Sequence, residues 1–274
     1  MPSYVNALRR LADGYRRAEQ EIVRNYFRKP RGRREHIRWL KAQGFKEHAA
    51  IRPLLNILGV LHGRIDREIG RREFEGIAEK LAEETKHARL VMDLIEEIGG
   101  RRIKPRDLVW LPEDKKLARV RARYSKTFAA LLHGSKAPSE KEMRRQDEEI
   151  ERAAVTLTEG GGGALYEVCI GLRKGAAEKK IASAFKAIHA DEKDHKNAGA
   201  RRLAGLLRTE RDYERAAEIV CEVSAQRLRM RNEQFGFPLS DAELQEVERC
   251  CRRPSRAAET DGRARRNVTS RRRR

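Results

Sequence analysis

The chain has 274 residues and a net charge of +20, with 39% hydrophobic and 38% charged residues. No apolar run approaches the roughly 18 residues that cross a bilayer, and Met1-Pro2-Ser3-Tyr4 opens no apolar leader, so we expect a cytoplasmic protein without a membrane segment. The aromatic content of 5%, the scarce prolines and the absence of β-branched runs indicate an all-α fold.

The first two predicted helices differ in what their apolar faces carry. Apolar side chains at helical spacing predict an amphipathic helix over residues 4–28, which Pro30-Arg31-Gly32 ends. A second apolar stripe runs over residues 40–61 in steps of three and four, and Glu47 occupies a position on it where a core residue belongs. Because Pro53 removes a helical hydrogen bond, we expect this helix either to be kinked or to begin late.

The third apolar stripe, over residues 74–98, carries Glu84 and His87 in place of core residues. A turn at residues 63–66 precedes it, and Gly99-Gly100 ends it. Residues three apart share one face of a helix, so Glu84 and His87 can present a carboxylate and an imidazole to one metal ion.

The second half of the chain repeats this pattern after a long crossover. We expect a crossover helix over residues 113–133, and the sequence Ser139-Glu140-Lys141-Glu142 is typical of a capping box that opens the next long helix. Glu159 lies on the apolar face of that helix, which ends near Gly175.

The following stripe, over residues 181–206, carries Glu192 and His195 as a second Glu-x-x-His motif. Two further helices are predicted, one over residues 211–233 and a short one opened by Ser240-Asp241-Ala242-Glu243.

Residues 253–274 are predicted to be a disordered, Arg-rich tail. Residues 252–274 contain ten arginines against Glu259 and Asp261, which accounts for eight of the net positive charges. This run makes nucleic-acid binding an open alternative, although a basic surface that attracts an anionic substrate or an acidic partner is equally compatible.

Two Glu-x-x-His matches alone are near the number expected by chance. Their positions relative to the predicted turns are what make a metal site a specific prediction. Facing residues of two antiparallel helices must be nearly equidistant from the turn that joins them. Glu47 and Glu84 are 37 positions apart and Glu159 and Glu192 are 33 apart, and both midpoints fall in predicted turns. We therefore expect each pair to meet at mid-bundle, where metal ions offset the large cost of burying the charges. The alternative is polar residues on solvated faces, with one or two buried ion pairs.

The order Glu, Glu-x-x-His, Glu, Glu-x-x-His resembles the ferritin-like superfamily of dinuclear carboxylate proteins over roughly residues 38–208. The resemblance implies a four-helix bundle with a long crossover between its second and third helices and with extra N- and C-terminal helices, in one domain of residues 1–252. The metal ligands that it implies are Glu47, Glu84 and His87 for one metal and Glu159, Glu192 and His195 for the other. Glu84 and Glu192 would bridge the two metals.

The resemblance also implies residues that hold the ligands in place without binding a metal themselves. Asp191 matches the Asp-Glu-x-x-His form, in which the aspartate holds a ligand imidazole by its second nitrogen. Glu83 has the equivalent place in the other motif or faces solvent.

Two further features lie near Glu159, and each has more than one interpretation. The run Gly160-Gly161-Gly162-Gly163 predicts close packing against a neighbouring helix, space beside the metals for dioxygen or a substrate, or a helix bulge. Tyr166 is either a core aromatic with a satisfied hydroxyl or a catalytic, redox-active or hydrogen-bonding residue.

Four carboxylates with only two imidazoles favour iron or manganese, so the expected cofactor is two Fe ions, with Mn/Fe or Mn/Mn as alternatives. The favoured function is an oxygen-activating oxidase or oxygenase of a small organic substrate, with dioxygen as co-substrate and an external electron donor. The helices added to the bundle and the glycine run support this choice. The alternatives are a ferroxidase, iron-handling or peroxide-removing protein, a hydroxylase of a nucleic-acid substrate, and a module that uses metals for rigidity alone. A homodimer is compatible with each.

Overall fold

The computed structural model describes residues 4–125, 146–159, 161–191 and 198–252, and within these ranges it contains helices and turns but no strand. The all-α class is thereby confirmed. The α-helices are α1 Tyr4–Arg28, α2 Arg33–His62, α3 Arg71–Gly99, α4 Pro112–Tyr124, α5 Gln146–Glu159, α6 Gly161–Ile170, α7 Gly175–Asp191, α8 Ala198–Leu206, α9 Glu210–Gln234 and α10 Asp241–Arg252.

The first three helices follow the predicted punctuation. α1 ends two residues before Pro30. α2 begins at Arg33 and continues through Pro53, so the late start is wrong and the whole turn around Glu47 is helical. After α3, Gly100 has a φ of 69°, a left-handed conformation that glycine adopts without a Cβ clash.

The crossover is only partly described. A 3₁₀ turn at Pro105–Asp107 and the helix α4 lie within the predicted crossover, with α4 at the start of the expected 113–133 helix. The end of that predicted helix, the capping box at residues 139–142 and the tail at residues 253–274 lie outside the described residues.

Side-chain caps fix where the last two helices begin. Thr209 Oγ1 accepts the N–H of Asp212 at 3.1 Å, and Asp212 Oδ2 accepts the N–H of Thr209 at 2.8 Å. In the predicted cap of α10, Ser240 Oγ accepts the N–H of Glu243 at 3.3 Å. These reciprocal bonds satisfy N–H groups that a helix start otherwise leaves without partners.

Two helical hairpins surround the main core. α2 packs against α3, α6 packs against α7, and the hairpins meet where α3 contacts α7. α1 lies against α6, and α9 packs against α1, α4 and α5. Each hairpin helix contributes buried apolar side chains to one cluster, among them Trp39, Leu40, Val91, Leu94, Leu165, Ile181 and Phe185. Within the described ranges, no helix is both long enough and apolar enough to cross a membrane.

Candidate metal centre

The α2–α3 hairpin brings together the three residues predicted from the first half of the chain. One potential ligand atom from each of Glu47, Glu84 and His87 lies within 4.8 Å of the other two. The loop between α2 and α3 covers residues 63–70, and the midpoint between the two glutamates, at residues 65 and 66, falls inside this loop. Glu47 is 5% exposed and His87 is 0% exposed, so these two groups lie inside the bundle.

Two neutral donors orient the carboxylate of Glu47. Gln43 Nε2, one turn earlier on α2, donates to Oε1 at 2.5 Å, and the hydroxyl of Tyr166 on α6 donates to the same oxygen at 3.1 Å. The other oxygen, Oε2, lies 3.9 Å from His87 Nδ1. Oε1 thus accepts both of these hydrogen bonds, and Oε2 lies on the side of His87.

The imidazole of His87 is held from the opposite side by Asp191 at the end of α7. Asp191 Oδ2 lies 3.1 Å from His87 Nε2 and 2.9 Å from the ammonium of Lys86. The hydrogen bond from Lys86 is the largest influence that holds the pKa of the Asp191 carboxyl below its ordinary value. An ionised aspartate favours the tautomer with the proton on Nε2, and the Nδ1 lone pair then points toward the glutamates.

The chemistry of these donors fits a hard divalent or trivalent cation. Two carboxylates and one neutral imidazole are a donor set typical of iron and manganese sites. A buried carboxylate is costly unless it is paired, and a cation between Glu47 and Glu84 would offset that cost directly. The half-buried Glu84 lies at the more open side of the group.

A buried polar chain behind Glu47 is a feature that the sequence analysis did not find. Arg231 of α9 donates to Glu19 of α1 at 2.7 Å, and both side chains are 2% exposed. The same guanidinium reaches Gln43 Oε1 at 3.4 Å. Gln43 therefore connects the Glu19–Arg231 pair to Glu47.

The neighbouring amide of Gln234 extends this chain toward Lys46. Gln234 Nε2 donates to Gln43 Oε1 at 3.2 Å, and its Oε1 accepts from Lys46 Nζ at 2.6 Å. Burial of the ammonium lowers the pKa of Lys46 to about 7. The only signal of this chain in the sequence is the i, i+4 spacing of Gln43 and Glu47, because Arg231 and Gln234 come from a distant helix.

The second half of the predicted ligand set, Glu159, Glu192 and His195, has no described side chain. Glu192 and His195 lie outside the described residues, and of Glu159 the structure describes only its place at the end of α5. Gly160 is also outside the described residues, and helical structure resumes at Gly161. The arrangement of a second metal site therefore stays a prediction.

The remaining predicted residues have defined places. Tyr166 is buried, donates to Glu47 and has its ring 5.6 Å from that of Phe185, so it has both a core role and a polar role. Glu83 lies half-buried on α3, one residue before Glu84.

Searches of protein-family models, of curated proteins and of solved structures found no match to this chain. The site must therefore be interpreted from its own geometry.

Proposed function

We propose that this chain is a ferritin-like, non-haem dimetal protein that activates dioxygen to oxidise a small organic substrate. The observation that carries the proposal is the convergence of Glu47, Glu84 and His87 within 4.8 Å, at mid-length of two antiparallel helices. Burial of Glu47 and His87 in an apolar core is hard to explain as a surface charge pattern. The repeat of the same motif at Glu192 and His195 supports a second metal.

In this proposal, each described residue has a separate task. Glu47, Glu84 and His87 would hold the first metal, and iron or manganese bound there would supply redox chemistry with dioxygen. Asp191 keeps the proton of His87 on Nε2 and so orients the ring. Gln43 and Tyr166 fix the rotamer of Glu47 through Oε1.

Metal analysis of protein purified without added metal tests the proposal directly. We expect about two Fe or Mn ions per chain, as the two motifs together require. The variants Glu47→Gln and Glu84→Gln should each lose at least one ion, whereas Glu79→Gln on an exposed face of α3 should retain both. Zinc alone, or no metal, would contradict the proposal.

Oxygen consumption separates the enzyme from the iron-handling alternatives. The protein is supplied with ferrous iron and air, and its dioxygen consumption is measured. An oxidase or oxygenase should consume more dioxygen than its bound metal accounts for, and only when an organic substrate and an electron donor are present. A ferroxidase would instead consume dioxygen in proportion to added iron and form mineral. Formation of mineral-filled assemblies would therefore contradict the proposed function and indicate iron storage instead.

A further inference from the structure

The α2–α3 hairpin is buried on one side of the candidate metal centre and largely accessible on the other. The buried side chains of α2 end at Glu47, and those of α3 begin at His87. Between these two positions, over residues 48–83, only Ile69 is buried. We call residues 48–83 the distal hairpin, and within the described part of the chain it lies outside the core.

Local contacts give the distal hairpin a defined structure at its turn. The guanidinium of Arg71 pairs with the carboxylate of Asp66 at 2.7 Å. The ring of His62, at the end of α2, lies 6.3 Å from that of Phe74, at the beginning of α3. The two helices therefore remain joined as a hairpin up to the turn.

The distal hairpin carries more apolar side chains on α2 than α3 can cover. Three pairs of adjacent apolar residues follow one another: Leu54-Leu55, Ile57-Leu58 and Val60-Leu61. Adjacent residues point about 100° apart around a helix, so both members of every pair cannot face the same neighbouring helix. Leu55 is 52% exposed. A second apolar face of α2 is thus left uncovered by the described residues.

The distal hairpin is neutral within a strongly basic chain. It contains six basic residues (five Arg and one Lys) and six acidic ones (one Asp and five Glu), so the net charge of +20 lies outside it. Two copies would therefore repel each other through most other surfaces, whereas two distal hairpins can approach without net repulsion. A nucleic acid or an acidic protein would instead be attracted to the basic remainder of the chain.

The two helices of the distal hairpin also differ in charge. Residues 48–64 contain Arg52 and Arg64 and no acidic residue, whereas residues 73–83 contain four Glu against one Lys. Around a two-fold axis, α2 of one copy can lie against α3 of the other. The basic stretch of each copy then meets the acidic stretch of its partner. This complementarity favours a second copy of the chain over a different partner.

We propose that the distal hairpin is a homodimer interface, in which the hairpins of two copies pack face to face as an intermolecular four-helix bundle. At 1.5 Å per residue, the helical parts at residues 48–62 and 71–83 are each about 20 Å long. Helices of this length are typical of globular proteins, so each copy supplies two helices that are long enough for a bundle core. The uncovered leucines would form that core. Dimerisation requires no metal and does not rest on the proposed function.

Sedimentation equilibrium of the full-length chain, with a chelator present, tests the proposal. We expect a species of twice the 31.6 kDa chain mass that dissociates on dilution. A chain that is monomeric at every concentration would overturn the proposal. The apolar face would then be covered by another part of the chain, such as residues 126–145, or by another protein.

An apolar variant locates the interface. Leu55→Glu should weaken dimerisation about tenfold or more, because it buries a charge without a partner. Val109→Glu is the matched control, since Val109 is also an exposed apolar side chain, at 43%, but lies outside the distal hairpin. Circular dichroism checks that both variants fold. Equal loss of dimer in both variants would overturn the assignment to this surface.

A charge variant keeps the test valid if Leu55→Glu does not fold. Glu75→Lys combined with Glu79→Lys, both at exposed positions, makes the acidic stretch basic and should weaken dimerisation about tenfold or more at low salt. Glu210→Lys combined with Glu214→Lys changes the total charge equally at exposed positions of α9 and should have a smaller effect. Full dimer affinity in both Leu55→Glu and the Glu75/Glu79 variant would exclude this interface.

The dimer and the metal centre can fail separately. If native protein dimerises through Leu55 but holds no metal, the proposed function fails and the interface stands. If native protein holds two metal ions but is monomeric, the interface fails and the metal centre stands.

Discussion

Asp191 directly precedes the second Glu-x-x-His motif and His87 belongs to the first, yet the carboxylate of Asp191 lies 3.1 Å from the imidazole Nε2 of His87. Asp191 ends α7 and His87 lies in the middle of α3, so this contact joins the two hairpins at the level of the candidate metal centre. The orientation of a residue proposed to bind one metal is thereby determined by the helix that leads into the second motif.

Replacing Asp191 by Ala should weaken metal binding about 10- to 100-fold, because the His87 ring loses the acceptor that fixes its tautomer. Anaerobic titration with Fe²⁺ or Mn²⁺ measures the change. Asp93→Ala is the matched control, since Asp93 makes an exposed ion pair with Arg89 at 2.8 Å on the same helix as His87. Equal metal affinity in both variants would show that Asp191 does not support a ligand.

Metal binding should raise the stability of the fold. At a free metal concentration of 100 times Kd, the expected gain is about 2.7 kcal/mol, because the unfolded chain does not bring the ligands together. Thermal unfolding with and without a chelator measures this difference. Glu47→Gln should lose most of the response and Glu79→Gln should keep it; an unchanged response in Glu47→Gln would place the metal elsewhere.

Tyr166→Phe should lower the free energy of unfolding by about 1.5–3 kcal/mol, the usual loss for one hydrogen bond to a charged group. Urea unfolding measures this effect, and oxygen consumption measures any role in the reaction. Tyr213→Phe, at a ring stacked on Tyr4, serves as a control for loss of a tyrosine hydroxyl. If Tyr166→Phe binds metal fully but loses substrate oxidation, the catalytic reading of Tyr166 is favoured over the packing reading.

Glu19→Gln should lower the free energy of unfolding by about 3–5 kcal/mol, because it leaves the buried guanidinium of Arg231 without its carboxylate. Glu21→Gln, two residues away, breaks an exposed pair with Arg28 and should change stability by no more than about 0.5 kcal/mol. Urea unfolding of the two variants under one condition makes the comparison. Similar stability in both would mean that the Glu19–Arg231 pair adds little.

Gly199→Ala should destabilise the protein, since an added Cβ would lie 2.6 Å from the backbone N of Leu157 on α5. Overpacking of this kind typically costs about 1–3 kcal/mol. Gly205, on the same helix, has open space around its Cβ position. Gly205→Ala should therefore stabilise α8 by about 0.5–1 kcal/mol. A gain in both variants would show that α8 does not approach α5 closely.

The all-α class and several helix ends were predictable, because the described helices carry apolar stripes and end signals. One predicted end was misplaced: α6 ends at Ile170, and Gly175, near which the end was expected, begins α7. Gly100, Thr209 and Ser240 act at helix ends as their residue types indicate. Of the two expectations for Pro53, the late start is wrong, because α2 begins at Arg33 and continues through Pro53; the kink stays a prediction. Helix propensity disfavours an internal proline, but it does not include tertiary contacts such as those of α2 with α3.

At the candidate site, the sequence by itself determined which residues share a face and a level. Helical period and distance from the turn were sufficient to bring Glu47, Glu84 and His87 together, because these are properties of one hairpin. The resemblance predicted that Asp191 holds a ligand imidazole, and the tertiary structure decided that this imidazole belongs to His87. Only the tertiary structure decided that Arg231 reaches Gln43. Those contacts join helices that are distant in sequence. The period of a helix indicates which of its faces is buried, but it does not indicate which side chains of another helix that face will contact.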